Sequence, residues 1–362
     1  WAEALALPSD PAIAPRGPDD LAAICYTSGT TGRSKGATIS HRNLLSNAAT
    51  LIELWRFTPQ DRLLHVLPIF HVHGLFVALH CALLSGATLL FEPGFDVART
   101  RTRLREASVL MGVPTHYTRL LAEAEFGAGD CAGVRLFISG SAPLLAEVHR
   151  QFTQRTGQII LERYGMTEAG MITSNPHDGE RVAGTVGFAL PGVELRVRAG
   201  DGTLAAPGET GVLEIRGPNV CSGYWQMAEA SAEAFTADGW FITGDMVVID
   251  ATGRVTIVGR AKDLIIAGGF NIYPKEIEEV IDALPGVEES AVIGIPHPDF
   301  GESVVAVVVP RAGAGLTADT VLDAVRPTLA RFKHPRAVHI VPALPRNAMG
   351  KVQKAELRKL YG

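Results

Sequence analysis

From Leu21 to about Tyr164, short apolar runs alternate with amphipathic stretches, and this alternation limits the possible folds more than any other feature of the chain. Short runs rich in apolar and β-branched residues are typical of buried strands, and the stretches between them have helical periodicity. The pattern predicts an open α/β sheet, in which ligands gather at the carboxyl ends of the strands. The predicted strands are 22–26, 62–67, 87–91, 109–112, 134–138 and 159–162, and the predicted helices are 41–55, 115–124 and 143–156.

Beyond about Thr185 the pattern changes to short strands separated by glycine and proline, which predicts a β-rich subdomain. After Gly259 a new α+β pattern begins, long enough for a small domain of its own. We expect a large domain at 1–261, divided into an α/β part at 1–184 and a β-rich part at 185–261, and a small domain at 262–362. The later predicted strands are 193–197, 211–216, 246–250, 255–258, 290–295, 303–309 and 337–341, and the later predicted helices are 274–284 and 318–329.

The charge balance excludes some classes of partner. The 362 residues carry a formal charge of −5, which gives no general attraction for nucleic acid or an anionic membrane. The most apolar stretch, 74–91, is interrupted by His80, Ser85 and Gly86 and predicts a buried helix followed by a strand rather than a membrane span. We expect small molecules as the partners, and the sequence indicates no oligomeric state.

The cysteines indicate the cellular compartment. Cys25, Cys81, Cys131 and Cys221 lie far apart without a CxxC pair, which is typical of reduced, structural thiols in a cytoplasmic protein. Because the first residue is Trp1 rather than methionine, a targeting peptide stays an open alternative.

A loop rich in hydroxyls and glycines follows the first predicted strand. It can offer backbone N–H groups, hydroxyl donors and positive charge to a polyphosphate. Its spacing is not that of the Walker loop, and its composition also fits an ordinary surface loop rich in serine, threonine and glycine. The candidate phosphate-binding residues are Thr27, Ser28, Gly29, Thr30, Thr31, Gly32 and Lys35, with Arg33 among them.

The string YTSGTTGRSKGA at this loop resembles the phosphate-binding signature of the adenylate-forming superfamily, which comprises acyl-CoA synthetases, adenylation domains and luciferases. The resemblance continues through later motifs to Lys351. It implies a ligase that activates a carboxylic acid with ATP, forms an acyl-adenylate, and passes the acyl group to CoA with release of AMP. ATP and CoA would be substrates, and Mg²⁺ the cofactor.

Two further motifs resemble the nucleotide-binding motifs of this superfamily. The first, Gly140-Ser141-Ala142-Pro143, would lie against the adenine, although such a tetrapeptide alone is an ordinary helix start. In the second, the resemblance implies that Tyr164 stacks on adenine, Thr167 contacts the α-phosphate and Glu168 holds Mg²⁺ with the phosphates. The residues of the second motif are Tyr164, Gly165, Met166, Thr167 and Glu168.

Motifs further along the chain extend the resemblance to this superfamily. By resemblance, Asp245 and Arg260 bind the ribose, and Lys262 is the hinge between the two domains. Without the resemblance, a lone Asp after Gly is more often a turn former. The resemblance also implies that the small domain rotates about this hinge between the two half-reactions.

The end of the chain carries the residues expected to act in each half-reaction. Pro345 to Lys351 resembles the motif whose lysine stabilises charge at the α-phosphate during adenylation, so Lys351 is the candidate catalytic lysine. Gly268 and Gly269 resemble the loop that approaches the thiol in the second step, and glycine permits such close backbone approach.

The choice of acid depends on a few side chains. A second carboxylate in a desolvated pocket needs a cation, preferably a bidentate arginine. Arg163, Arg33 and His71 resemble the malonyl-CoA synthetase subgroup, although His71 also fits a histidine satisfied by backbone at the start of a helix. Crowding by Val72, Phe76 and Met171 favours a short acid, so we expect malonate, or methylmalonate if Val72 and Met171 leave room for a methyl group.

Relatives of this type carry a long further segment before the phosphate loop, so the N-terminal part of the large domain is expected to be missing from this chain. Three other functions fit parts of the pattern: another short-chain acyl-CoA synthetase, an adenylation domain that loads a carrier protein, and a truncated, non-catalytic nucleotide-binding module. The presence of Glu168 and Lys351 argues against the last of these.

Overall fold

A computed structural model of the chain describes residues 14–27, 34–347 and 351–362. Its largest sheet, within these residues, has seven strands in the order β4-β3-β5-β6-β7-β8-β9. The first five strands in this order, from β4 to β7, run parallel to one another. Strand β8 is antiparallel to β7, and β9 is antiparallel to β8. The strands are β3 (Arg62–His65), β4 (Thr88–Phe91), β5 (Val109–Gly112), β6 (Leu136–Ser139), β7 (Leu161–Met166), β8 (Gly170–Ser174) and β9 (Phe188–Ala189).

Helices cover both faces of this sheet because successive strand residues point to opposite sides. Leu63, with Val109, packs on a core under α1 and α2, whereas Leu64, with Leu110, packs on the other core under α3, α4 and α6. The helices in this part are α1 (His41–Leu54), a π-helical turn (His73–Ala78), α2 (Leu79–Ser85), α3 (Val97–Leu104), α4 (Pro114–Ala122), α5 (Ala128–Cys131) and α6 (Ala146–Thr156). The predicted open α/β sheet is confirmed.

Two antiparallel sheets accompany the seven-stranded sheet, one before it and one after it in the sequence. The first is a hairpin of β1 (Leu21–Thr27) and β2 (Lys35–Ser40), whose connection is the phosphate loop. The second is a four-stranded sheet, among the described residues, in the order β10-β11-β12-β13. Its strands are β10 (Glu194–Arg198), β11 (Thr210–Arg216), β12 (Phe241–Ile249) and β13 (Val255–Arg260), with α7 (Ala228–Ala234) between β11 and β12.

A 3-10 turn at Ala261–Asp263 leads into the last sheet, whose five strands within the described residues carry helices on one face and the chain terminus on the other. Ile277 and Val321 pack on the helical face, and Leu344 and Leu357 on the opposite face. The elements are β14 (Ile265–Ala267), β15 (Phe270–Ile272), α8 (Pro274–Asp282), β16 (Val287–His297), β17 (Gly301–Pro310), α9 (Ala318–Val325), a 3-10 turn (Arg331–Lys333), β18 (Ala337–Ile340) and α10 (Lys354–Tyr361).

Several predicted boundaries were wrong. The helix predicted at 143–156 begins at Ala146, because Leu145 and the residues before it are extended or turn-like. The strand predicted at 246–250 begins at Phe241, so Asp245 lies within a strand rather than ahead of one. The sequence analysis also missed β2, and it missed the hairpin of β7 and β8 that carries the Tyr164 motif.

Candidate active site

The phosphate loop joins β1 to β2. Thr27 and Lys35 are its described ends, and the Thr27 hydroxyl lies 3.4 Å from the Lys35 carbonyl oxygen. Lys35 Nζ lies 5.0 Å from the centre of the Tyr224 ring, within range of a cation–π interaction. The predicted residues Ser28, Gly29, Thr30, Thr31, Gly32 and Arg33 lie outside the described residues.

Glu168 lies at the turn between β7 and β8, next to Thr167. Its carboxylate is 7% exposed, and Oε1 accepts a hydrogen bond of 3.1 Å from the Tyr224 hydroxyl. Burial raises the pKa of Glu168, although Tyr224, Arg260 and Lys351 act in the opposite direction. Since Tyr224 also contacts Lys35, it connects the phosphate loop to the candidate metal ligand.

At the candidate ribose site, both carboxylate oxygens of Asp245 have partners within the protein. Asp245 Oδ1 lies 2.7 Å from Arg260 Nε, and Oδ2 accepts a hydrogen bond from the Tyr164 hydroxyl. Burial raises the pKa of Asp245, while Arg260 opposes this rise. The structure therefore brings together Tyr164, Asp245 and Arg260, which come from three different motifs.

The adenine-side loop follows β6. Ser141 has a left-handed backbone with φ of 71°, and its hydroxyl lies 3.2 Å from His73 Nδ1. Ala142 and Pro143 are exposed. Gly140 is buried, and a Cβ atom there would lie only 2.3 Å from Nη1 of Arg163, so glycine is needed for the arginine to pass beneath the loop.

Arg163 lies on β7 and is 3% exposed. Its Nε and Nη2 atoms have no hydrogen-bond partner in the described part of the chain. Burial lowers the pKa of Arg163 to about 9, since no carboxylate compensates for lost hydration. A buried cation without a partner is costly, so this guanidinium is a candidate for binding an anionic ligand.

His71 and His73 lie near enough to Arg163 for its charge to affect the pKa of both. Burial, together with the nearby charges of Lys351 and Arg163, lowers the pKa of His71 to about 4. His71 Nδ1 accepts a hydrogen bond of 3.1 Å from the backbone N–H of His73, which leaves Nε2 to carry the proton. The alternative of a backbone-satisfied histidine and the predicted place at the acyl site are thus compatible.

Lys351 belongs to the small domain but lies close to the residues of the large domain. Its pKa is lowered by burial and then by Arg260, whereas Asp245 and Glu168 raise it. The same lysine affects the pKa of His71. The Lys351 ammonium group is thus close enough to interact electrostatically with Asp245, Glu168 and His71.

A small cavity opens beside these groups. Its volume is about 20 Å³, and Val72, Phe76 and Thr167 contribute to its wall. Met171 does not line this cavity, and its side chain is buried in the core that contains Leu51 and Met111. The amide side chains of Asn43, Asn47 and Asn219 also line it.

The hinge and thiol-loop candidates lie away from this cavity. Lys262 is in the 3-10 turn Ala261–Asp263, and its pKa is lowered mainly by burial. Gly268 and Gly269 connect β14 to β15 with φ values of 58° and 82°, a left-handed backbone that favours glycine. The Gly268 N–H donates to the carbonyl of Phe300, within the small domain.

Sequence reasoning missed several residues that the structure places at the site. Tyr224 has no local signal, because it reaches Glu168 from a bridge to β2 that is distant in sequence. His116 and Tyr117 follow β5 in a helix that the sequence predicted, but only the sheet order brings Tyr117 near Arg163 and His116 near His73. The pair His71 and His73 could have been predicted as a unit from its spacing.

The open α/β sheet, the second sheet with its ribose-side carboxylate, and a small domain that contributes a lysine define an adenylate-forming type of protein. The chain belongs to the AMP-binding enzyme family, which it matches over residues 2–225, and residues 276–351 match the C-terminal domain of AMP-binding enzymes.

The curated relatives are CoA ligases for different acids. The chain is 40% identical to a probable CoA ligase of Humulus lupulus, over 94% of this chain and 61% of that protein. It is 40% identical to an indoleacetate–CoA ligase of Aromatoleum aromaticum, over 98% and 69%. It is 38% identical to a malonate–CoA ligase of Arabidopsis thaliana, over 94% and 61%. The chain thus spans about 61% to 69% of the length of these relatives.

Two solved structures extend the comparison. ATP-bound MatB from Rhodopseudomonas palustris is 56% identical with a TM-score of 0.93, over 96% of this chain and 69% of that chain. A malonyl-CoA ligase with methylmalonyl-CoA and AMP bound is 44% identical with a TM-score of 0.65, over 94% and 74%. Among the described helices, none is long and apolar enough to cross a membrane.

Proposed function

We propose that the protein is an AMP-forming acid–thiol ligase that converts malonate, ATP and CoA into malonyl-CoA, AMP and diphosphate. The observation that carries the choice of malonate is the buried Arg163 guanidinium, whose Nε and Nη2 atoms lack a protein partner. A malonate bound for adenylation has a second, unreacted carboxylate, which is the group that a buried arginine fork fits.

The residues around Arg163 support this orientation. Lys351 is close enough to affect the pKa of His71, and Arg163 affects it as well. An acid between Arg163 and Lys351 could place its second carboxylate on the arginine and its reacting carboxylate beside the lysine. Lys351 then stabilises the charge that builds at the α-phosphate, as expected of a catalytic lysine.

The nucleotide would occupy the side of Asp245 and Arg260. We propose that Asp245 accepts hydrogen bonds from the ribose hydroxyls and that Arg260 orients this carboxylate, to which it lies 2.7 Å away. Tyr164 would contribute its ring to the adenine, while its hydroxyl holds Asp245. Gly140, Ser141 and the two residues after them would form the other wall of the adenine site.

Mg²⁺ fits Glu168. In the described part of the chain no group of three or more acidic, histidine or cysteine side chains could hold a metal by itself. Mg²⁺ is often bound by one or two carboxylates together with substrate phosphates, so a single buried carboxylate beside the phosphate loop is sufficient. When bound, the ion would neutralise phosphate charge, and Glu168 with Thr167 would orient it.

Val72 and Phe76 line a small cavity together with Thr167 and Glu168, and we propose that these two apolar side chains limit the size of the acid. We propose malonate as the main substrate and methylmalonate as an alternative if Val72 leaves room for one methyl group. We further propose that the small domain, 262–362, turns about Lys262 after adenylation, which removes Lys351 and brings Gly268 and Gly269 to the thiol. Such rotation is a common way to separate two half-reactions.

The test is an ATP/pyrophosphate exchange assay on the full-length protein. Malonate, methylmalonate, acetate, indoleacetate and a mixture of amino acids are each supplied with Mg²⁺ and ATP, and acyl-CoA formation is then measured with CoA. We expect malonate to give the highest exchange rate, followed by CoA-dependent release of AMP.

Other outcomes identify the alternatives. Exchange with acetate or indoleacetate but not malonate would show another acyl-CoA synthetase, an alternative favoured by the 40% identity to the indoleacetate–CoA ligase. Exchange with amino acids would show an adenylation domain that loads a carrier protein. ATP binding without any exchange would show a non-catalytic nucleotide-binding module.

A further inference from the structure

Ion pairs attach the segment that carries Lys351 to the small domain on both sides. Before the lysine, the Arg346 guanidinium pairs with the Glu289 carboxylate on β16. After it, Lys354 Nζ lies 2.6 Å from Glu278 Oε1 on α8. These two contacts fix the segment to two different elements of one rigid core.

Asn347 holds the Lys351 backbone by two hydrogen bonds. The Asn347 N–H donates to the Lys351 carbonyl over 3.0 Å, and the Lys351 N–H donates to Asn347 Oδ1 over 3.0 Å. The side chain of Lys351 is a flexible chain of four methylene groups. The position of its Nζ therefore depends on how firmly this backbone is held.

The pair of Lys354 and Glu278 is the most shielded of the three lysine–glutamate pairs that involve α8 in the described part of the chain. Its side chains are 19% and 18% exposed, and Glu278 Oε1 also accepts a hydrogen bond of 2.7 Å from the Val292 N–H. A shielded pair keeps more of its Coulomb energy than an exposed one. Lys354 is also the first residue of α10, which Arg358 joins to Asp263 over 2.7 Å.

We propose that Lys354 and Glu278 are positioning residues for the adenylation step: their ion pair holds the Lys351 backbone where its ammonium group reaches the reacting carboxylate and α-phosphate. Neither residue is proposed to touch a substrate. The inference rests on the proposed ligase function, because it assigns these residues to the first half-reaction of that ligase.

The test uses Lys354→Met in the full-length protein, since methionine keeps most of the apolar stem and removes the charge. We expect the maximal rate of malonate-dependent ATP/pyrophosphate exchange to fall about 10- to 100-fold, because small displacements of a catalytic group cost rate steeply. The KM for ATP should change less than about twofold, because Asp245 and Arg260 are untouched. Lys354→Arg should restore most of the exchange rate.

The second half-reaction provides the discriminating measurement. Acyl-adenylate is first allowed to accumulate on the enzyme in a single turnover with pyrophosphatase present, and CoA is then added. Because the proposed role of Lys351 lies in adenylation, the rate of acyl-CoA formation from bound adenylate should change by less than about twofold in Lys354→Met.

Lys333→Met is the matched control. Lys333 Nζ lies 2.5 Å from Glu276 Oε1 on the same helix, but this pair does not hold the Lys351 segment. We expect an exchange rate equal to that of the wild type. The unfolding midpoints of both variants are compared to detect a general loss of stability.

The outcomes separate the two proposals. If the wild type shows no exchange with malonate, the proposed function fails. If the wild type is active and Lys354→Met exchanges at the same rate, the positioning role is wrong. Equal losses in both half-reactions, with a lower midpoint than that of Lys333→Met, would show a merely structural pair and would also overturn it.

Discussion

The two ends of the candidate site differ in how their buried charges are satisfied. At the ribose end, Asp245 has both Arg260 and the Tyr164 hydroxyl as partners. At the acyl end, Arg163 is more deeply buried than Arg260, yet its Nε and Nη2 atoms have no partner among the described residues. The carboxylate at the ribose end has its partners within the protein, whereas the arginine at the acyl end has donors that no described protein group satisfies.

This difference has an energetic meaning. Removing one member of a buried pair leaves an uncompensated charge and costs stability, whereas replacing an unpaired buried charge with an apolar side chain removes its desolvation cost and can stabilise the fold. Substitutions at the acyl end should therefore separate stability from activity. Substitutions at the ribose end should reduce both together.

The largest expected effect is that of Arg163→Leu. We expect malonate-dependent exchange to fall by at least about 100-fold, since truncating one partner of a buried, hydrogen-bonded charge pair costs about 2–5 kcal/mol or more. The midpoint of thermal unfolding should stay the same or rise. Arg135→Leu is the control, because Arg135 pairs with Asp61 over 2.7 Å and its loss should lower the midpoint. A lower midpoint in Arg163→Leu would contradict the comparison.

Asp245→Asn tests the ribose end. It removes the charge that Arg260 and Tyr164 bind, so we expect a loss of about 2 kcal/mol in the free energy of unfolding, below the usual cost of breaking a fully buried pair because Arg260 is half-exposed. The KM for ATP should rise about tenfold or more. Chemical denaturation and exchange at varied ATP concentrations measure the two effects. Unchanged stability would show that this pair is not structural.

His116→Phe tests the acyl end through pH. Burial lowers the pKa of His116 to about 4, and its ring stacks on Phe95 at a centroid distance of 4.0 Å. Because the unfolded chain binds the proton more tightly, this histidine destabilises the fold as pH falls from about 7 towards 4. We expect the stability of the variant, relative to the wild type, to increase by about 2 kcal/mol between pH 7 and pH 5.

Denaturant titrations of both proteins at the two pH values measure this difference. Glu162, whose pKa burial raises to about 7, acts in the opposite direction, so only the difference between the two proteins reports on His116. An equal pH dependence in the two proteins would mean that the His116 ring is not held in its neutral form.

The smallest effect is expected for Tyr224→Phe, which removes the hydroxyl that donates to Glu168. A hydrogen bond to a charged group contributes about 1.5–3 kcal/mol, and water can replace part of it, so we expect the Mg²⁺ concentration for half-maximal exchange to rise a few-fold. Tyr361→Phe is the control, since Tyr361 lies in α10 and stacks on His339. An unchanged Mg²⁺ requirement would remove Tyr224 from the metal site.

Sequence patterns predicted the fold well because the core strands have a clear sequence signal. Val109 and its neighbours are continuous apolar runs, and such runs between amphipathic helices permit few architectures. The antiparallel β8 was missed because the chain reverses directly after Glu168 within a motif that is neither apolar nor alternating. Strand boundaries near Asp245 failed for the same reason, since ligand-binding residues replace the usual strand pattern there.

The site was only partly accessible from sequence. Individual residues such as Asp245 and Lys351 could be proposed from motifs, but their mutual arrangement depends on contacts between segments far apart in the chain. The bond from Tyr164 to Asp245 joins two strands of different sheets, and the missing partners of Arg163 become visible only when its surroundings are known. The roles assigned to these residues stay predictions.

The absent side chain at Gly140 has a consequence for changing the acid that this protein accepts. The loop proposed to contact adenine and the arginine proposed to select the acid share one volume, since a Cβ at 140 would meet Arg163 Nη1 at 2.3 Å. The nucleotide wall and the acid pocket are thus not separate modules for redesign. A variant directed to acids without a second carboxylate could replace Arg163 with a smaller residue. A side chain introduced at position 140 could then fill the space that the arginine leaves.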